Sequence, residues 1–173
     1  MTETLVGIIM GSDSDLPVLK DTGKVLTELG IGYEITISSA HRTPQKTMEY
    51  VSTAEQRGLA VIIAAAGLAA HLPGVVAAHT PLPVIGIPIE SGAMKGVDAL
   101  YSIVQMPPGI PVATVAINGA KNAGILAAQI IGVANPEVRR NLIAYKAKMA
   151  EEVQQKDALL AELGIEGYLK TKE

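Results

Sequence analysis

The sequence predicts an α/β fold in which a parallel sheet is covered by helices on both faces. Two patterns predict it. Short apolar runs alternate with amphipathic stretches along the chain, as in successive βαβ units. The runs are also mostly apolar at consecutive positions, which suits parallel strands buried on both sides.

Each element has its own signal. The first strand is expected over Leu5–Met10. Leu19, Thr22, Val25, Leu26 and Leu29 then keep helical spacing, and Gly30 is a stop. A second strand is expected over Tyr33–Ser38, followed by Thr43 as N-cap, Pro44 at the first helical position and Gly58 past the helix end. Ala60–Ala66 reads as the third strand and Leu72–His79 as a short helix opened by Pro73. Val84–Ile87 and Pro111–Ile117 are the fourth and fifth strands, with helices over Gly96–Gln105 and Asn118–Gly132. Asn135-Pro136 opens a long, charged helix running to about Leu163, before Gly164. The tail Gly164–Glu173 is expected to be loosely held or packed on a neighbour.

Five strands with connecting helices predict a flavodoxin-like three-layer sandwich with strand order 2-1-3-4-5. One domain is expected over residues 1–173, with a core at about 4–134 and the C-terminal helix and tail at 135–173. In such sheets ligands bind at the carboxyl ends of the strands, near the switch in strand order.

Composition narrows the function. The net charge of -3, with no basic patch, argues against nucleic acid as a partner. There is no cysteine, so thiolate chemistry and disulfides are excluded. The longest apolar run, Leu59–Ala70, is interrupted by Gly67 and falls short of the roughly 20 residues of a membrane span. No charged-then-apolar signal segment precedes Leu5, so a cytoplasmic location is expected. Hydrophobic residues make up 49% of the chain, and the mean hydropathy is +0.32. That is apolar enough to suggest a homo-oligomer, with surface hidden between subunits.

Three strand ends carry candidate chemistry. After the first come Gly11-Ser12-Asp13-Ser14-Asp15, where a tight turn, hydroxyls and helix N–H groups suit a phosphate or ribose. Ordinary helix capping is the alternative. After the second come Ser39-Ala40-His41-Arg42-Thr43-Pro44. Arg42 can grip phosphate with two prongs, and His41 is suited to proton transfer near neutral pH. The alternative is a solvated Arg beside a cap and an incidental His. After the third come Gly67-Leu68-Ala69-Ala70-His71-Leu72, where small residues allow a ligand close to the backbone and His71 is either a second functional His or a structural one. Wide His spacing gives no zinc pattern, Asp13 and Asp15 alone do not complete a Mg²⁺ site, and no dinucleotide fingerprint or Walker loop is present.

These motifs closely resemble those of the class I N5-carboxyaminoimidazole ribonucleotide mutase family of purine biosynthesis. The resemblance spans Val6 to about Gly132. It includes Gly11-Ser12-Asp13-Ser14-Asp15, Ser39-Ala40-His41-Arg42-Thr43-Pro44 and Ala69-Ala70-His71-Leu72-Pro73-Gly74, and Ser102-Ile103-Val104-Gln105-Met106-Pro107 continuing through Gly109-Ile110-Pro111-Val112-Ala113-Thr114. Asn122-Ala123-Gly124 and Leu126-Ala127-Ala128-Gln129-Ile130 complete it. The resemblance implies a homo-octamer acting on a nucleotide, moving a carboxylate from N5 to C4 with no metal and no organic cofactor. His41 would be the general acid and base. Ser39 and Arg42 would contact the phosphate, Ser12 and Asp15 the nucleotide and ribose. Gly67, Ala70, His71 and Leu72 would hold the migrating carboxylate. Where the family usually reads Gly-Gly-Ala-Ala-His, this chain has Leu68 in second place; Leu68 is strained if that position needs a positive φ, or else it takes an ordinary conformation.

Two alternatives bear comparison. A class II relative carboxylates aminoimidazole ribonucleotide directly with CO₂. Such chains typically read Ser-Ala-His-Lys in place of Ser39-Ala40-His41-Arg42 and lack the Ala-Ala-His-Leu-Pro-Gly run. A non-catalytic flavodoxin-like nucleotide-binding module is the other. As a signalling receiver it would need an Asp at the end of the third strand, where this chain has Ala66-Gly67-Leu68; as a flavin binder it would want aromatic rings, and the chain has no Trp or Phe.

Overall fold

A computed structural model describes residues 3–172. Five parallel strands, β1 (Thr4–Met10), β2 (Gly32–Ile37), β3 (Val61–Gly67), β4 (Val84–Ile89) and β5 (Ala113–Thr114), form one sheet in the order β2-β1-β3-β4-β5. The helices are α1 (Leu16–Glu28), α2 (Pro44–Ser52), α3 (Leu72–Ala78), α4 (Val97–Val104), α5 (Ala120–Gly132) and α6 (Pro136–Lys170).

The consecutive apolar runs have a simple cause. Side chains alternate faces along a strand, and both faces of the central strands are covered. Ile8 and Met10 of β1, with Val61, Ile63 and Ala65 of β3, pack under α1, α5 and α6. Ile9, Ile62, Ala64 and Ala66 pack on the other face with Val51, Val76 and Ile103 of α2, α3 and α4. Each such Ile or Val removed from water contributes about 1.5–3 kcal/mol, so no position in the buried stretches Val6–Met10 and Val61–Ala66 can be polar at low cost.

Several expectations need correction. β2 is not covered on both faces. It is an edge strand whose Tyr33, Ile35 and Ile37 face outward, exposed. β5 shrinks to Ala113–Thr114, which pair with Ile85 and Gly86; Pro111 has no N–H to give a longer ladder. Thr43 does not cap α2 with its side chain. Its Oγ1 instead accepts from the Ser39 N–H at 2.9 Å and donates to the Ser39 carbonyl at 3.2 Å, closing the strand-end loop on itself. Finally, α6 does not stop at Gly164. That residue breaks the helical dihedrals (φ 63, ψ 177), and helix resumes to Lys170.

The start of α6 follows the sequence. Asn135 Oδ1 accepts from the N–H groups of Glu137 and Val138 at 3.0 and 3.2 Å, and Val138, Leu142 and Tyr145 anchor the first turns to the core. From Lys146 to Glu166 every residue is exposed, Met149, Val153, Leu160 and Leu163 among them. Among the described residues no helix is long and apolar enough to cross a membrane.

Candidate active site

The carboxyl ends of β1 to β4 open into one cleft of about 520 Å³. Every site residue expected from the sequence lines it: Ser12, Asp15, Ser39, His41, Arg42, Gly67, Ala70, His71 and Leu72. The strand order explains why. β1 lies between β2 and β3, so the loops after β2 and β3 face each other across the end of β1.

The β1 loop is held by its own hydroxyls. Ser12 caps a single 3-10 turn, Asp13–Asp15, accepting from the Ser14 N–H at 3.2 Å. The capping alternative is therefore true of Ser12, which also lies in the cleft wall. Asp15 is different, since its side chain caps nothing. It is 7% exposed. Burial pushes its pKa up from the ordinary carboxyl value, a contact with Ser14 Oγ at 3.2 Å partly offsets that, and the charge of Asp13 reinforces it.

The β2 loop is pinned on both sides. Ser38 is buried, with Oγ 2.8 Å from Thr47 Oγ1 and 3.2 Å from Thr43 Oγ1. The Arg42 N–H donates to Ser39 Oγ at 3.2 Å, and Nη2 donates to the carbonyl of Gly11 at 2.8 Å. The guanidinium thus bridges the β1 and β2 loops, with Ser12 and Ser39 in the same cleft wall. Its remaining donors and its charge suit a phosphate.

His41 and His71 meet in the middle. Their Nε2 and Nδ1 atoms are 2.6 Å apart, and the rings are edge to face at 82° with centroids 4.8 Å apart. At that separation one ring's N–H must point at the other's lone pair. Each imidazole thus sets the other's tautomer and orientation, which is the arrangement a proton-transferring histidine needs. Thirty residues separate the two in sequence, so only the fold brings them together.

Leu68 takes the left-handed conformation, with φ 54. That geometry costs a non-glycine residue roughly 1–2 kcal/mol. The side chain lies against Gly92, where an added Cβ would be 2.8 Å from Leu68 Cδ2. Gly92 itself has φ +63.

Ser91 also lines the cleft, and the sequence reading missed it. The signal was present but misplaced. β4 runs to Ile89, two residues beyond its expected end, so the loop that carries Ser91 starts later than the sequence suggested.

A larger groove of about 950 Å³ runs between α1 and β2, lined by Leu16, Leu19, Gly23, Tyr33 and Ile35. Its lining is mostly apolar, beside the charged Asp13, Lys20, Lys24 and Glu28, and it follows the uncovered edge of the sheet.

Comparison with known proteins gives a consistent picture. The sequence model of the AIR carboxylase family matches residues 5–152. The chain is 60% identical over 168 residues to a Thermotoga maritima protein named N5-carboxyaminoimidazole ribonucleotide mutase, covering 97% of this chain and 98% of that one. A Pyrococcus horikoshii protein of the same name is 59% identical over 165 residues, covering 95% and 93%. A Candida glabrata protein named phosphoribosylaminoimidazole carboxylase is 54% identical over 168 residues, 97% of this chain but 30% of that longer one. In three dimensions, the crystal structure of Treponema denticola PurE superposes with a TM-score of 0.83 at 32% identity, covering 91% of this chain and 98% of that one.

Proposed function

This chain belongs to the AIR carboxylase family, and from that premise we propose that it is an N5-carboxyaminoimidazole ribonucleotide mutase, forming 4-carboxyaminoimidazole ribonucleotide in purine biosynthesis. The identity of 60% to a mutase along nearly the whole chain supports this substrate. The geometric observation that carries the chemistry is the His41–His71 contact at 2.6 Å, in one cleft with Ser39 and Arg42.

The shared cleft and the resemblance to the family support the following roles. Arg42 and Ser39 hold the phosphate, and Ser12 and Asp15 the ribose and nucleotide. His41 donates a proton to N5 as the bond from N5 to the carboxylate carbon breaks, leaving aminoimidazole ribonucleotide and CO₂. The electron pair at C4 attacks the CO₂ carbon. His41, now a base, takes the C4 proton, which restores the ring and the enzyme together. One imidazole that gives up a proton and then takes one back can serve both steps in turn. His71 orients His41, and with Gly67, Ala70 and Leu72 it borders the migrating carboxylate.

The test is turnover of N5-carboxyaminoimidazole ribonucleotide with and without added bicarbonate. Full activity without bicarbonate is expected. A need for bicarbonate, with aminoimidazole ribonucleotide as the true substrate, would make the protein a carboxylase, the activity named for the Candida glabrata relative.

The enzyme works as a homo-octamer in the cytoplasm. The outward apolar side chains of β2 (Tyr33, Ile35, Ile37), of α4 (Val97, Tyr101, Val104) and of the far half of α6 support an oligomer. Sedimentation should give a mass about eight times the 18.0 kDa of the chain.

A further inference from the structure

We propose that Ser91 is a substrate-binding residue, its hydroxyl donating a hydrogen bond to the migrating carboxylate. The inference rests on the mutase reading and adds a residue to it.

The β3–α3 and β4–α4 loops interlock through two glycines. Gly67 leaves room for Ser91: a Cβ there would lie 2.5 Å from Ser91 Oγ. Gly92, the next residue along, leaves room for Leu68 in return. The pairing fixes Ser91 against the part of the cleft wall formed by Gly67.

The Ser91 hydroxyl is buried and has no hydrogen-bond partner among the described residues. Such groups are rare in folded proteins because each forfeits the hydrogen bond it had in water. A serine kept in that condition at a cleft wall needs a partner that arrives with the ligand. No hydrogen bond holds the hydroxyl where it lies, so an acceptor on the ligand can draw it to another staggered χ1 position.

Position selects which ligand group it meets. The guanidinium and three of the cleft's serines, Ser12, Ser14 and Ser39, stand after β1 and β2. Ser91 stands after β4, on the far side of β3. The phosphate belongs with the guanidinium. The acceptor left for Ser91 is the carboxylate, as the carbamate, as CO₂ and as the product acid.

The experiment compares wild type, Ser91→Ala and Ser91→Cys, which keeps the side-chain shape with a somewhat larger atom but is a poor donor. Three quantities are read: kcat and KM on N5-carboxyaminoimidazole ribonucleotide, the fraction of ¹³C from added bicarbonate found in the product, and the Tm. Both variants are expected to lose about tenfold to a hundredfold in kcat/KM, the usual effect of removing a hydrogen bond to a charged group. Label incorporation should rise as CO₂ escapes more often. The Tm should hold or rise, because an unpartnered hydroxyl has been removed. Wild-type turnover with both variants within twofold of it and label unchanged overturns the inference alone. A cysteine variant that works like wild type, beside an alanine variant that loses stability, makes Ser91 a space filler and also overturns it. A wild type that leaves the substrate unconverted overturns the functional reading beneath it.

Discussion

The two halves of the cleft are built from different materials. The half after β1 and β2 carries Ser12, Ser14, Asp15, Ser39, His41 and Arg42, tied by side-chain hydrogen bonds within and between its loops. The half after β3 and β4 is Ala66, Gly67, Leu68, Ala69, Ala70, His71, Leu72 and Ser91, held by close packing of the Ser91 and Leu68 side chains against Gly67 and Gly92. A charged phosphate needs fixed donors and a counter-charge. CO₂ is small and uncharged, and it is kept by a wall without gaps. One half is suited to affinity and the other to chemistry, with the His41–His71 contact as the seam between them.

The seam is where the largest effect is expected. His41→Asn keeps a side chain of similar reach but cannot carry a proton on and off. Turnover should fall by at least about 10²–10⁴-fold, the usual loss for a positioned acid or base, with substrate affinity and Tm close to wild type. Equilibrium binding of the substrate beside a single-turnover assay separates the two quantities. Near-normal turnover would remove His41 from both proton transfers.

Arg42→Ala should act on the polar half alone. It removes the guanidinium that bridges to Gly11 at 2.8 Å and leaves a bound phosphate without its counter-charge. KM should rise by about tenfold to a hundredfold, as for a lost hydrogen bond to a charged group, while kcat changes much less. If kcat falls as far as KM rises, the halves are not separable and the phosphate contact also drives the chemistry.

The two halves were not equally legible in the sequence. In the polar half, residue types declare their chemistry, and Gly11 to Asp15 and Ser39 to Thr43 sit directly after strands with clear apolar signals. The apolar half has no such markers. Ala, Gly and Leu read as core wherever they fall. Ser91 escaped notice because the end of β4 was placed two residues early, and the Leu68–Gly92 packing joins residues whose partnership no local pattern encodes. The sheet order was legible because β1, β3 and β4 are buried on both faces. β2 misled because its apolar residues are exposed, and apolar composition alone does not separate a sheet core from an uncovered edge. β5 misled because Pro111 and a two-residue ladder lie inside a longer apolar stretch.

The smallest expected effect tests whether the polar half gives up stability for function. Asp15 is nearly buried, and its pKa is raised by that burial. A carboxyl with a higher pKa folded than unfolded binds its proton more tightly in the folded protein. Its favourable contribution is complete below the unfolded value of 3.8 and is lost as pH rises through the folded value. At neutral pH the ionised Asp15 therefore opposes folding. Asp15→Asn removes that charge at almost constant volume, so its Tm at pH 7 should exceed wild type, by on the order of a few degrees for a chain of this size. The gap should narrow as pH is lowered toward the carboxyl range, where the wild-type side chain is also neutral. Substrate affinity should move the other way and fall, since the nucleotide loses an acceptor for its hydroxyls. Melting curves from pH 7 down to about pH 4.5 and a binding isotherm at pH 7 read both. A lower Tm for the Asn variant at pH 7, persisting at acid pH, would mean that the carboxylate is a structural anchor and that the polar half stabilises the fold it sits on.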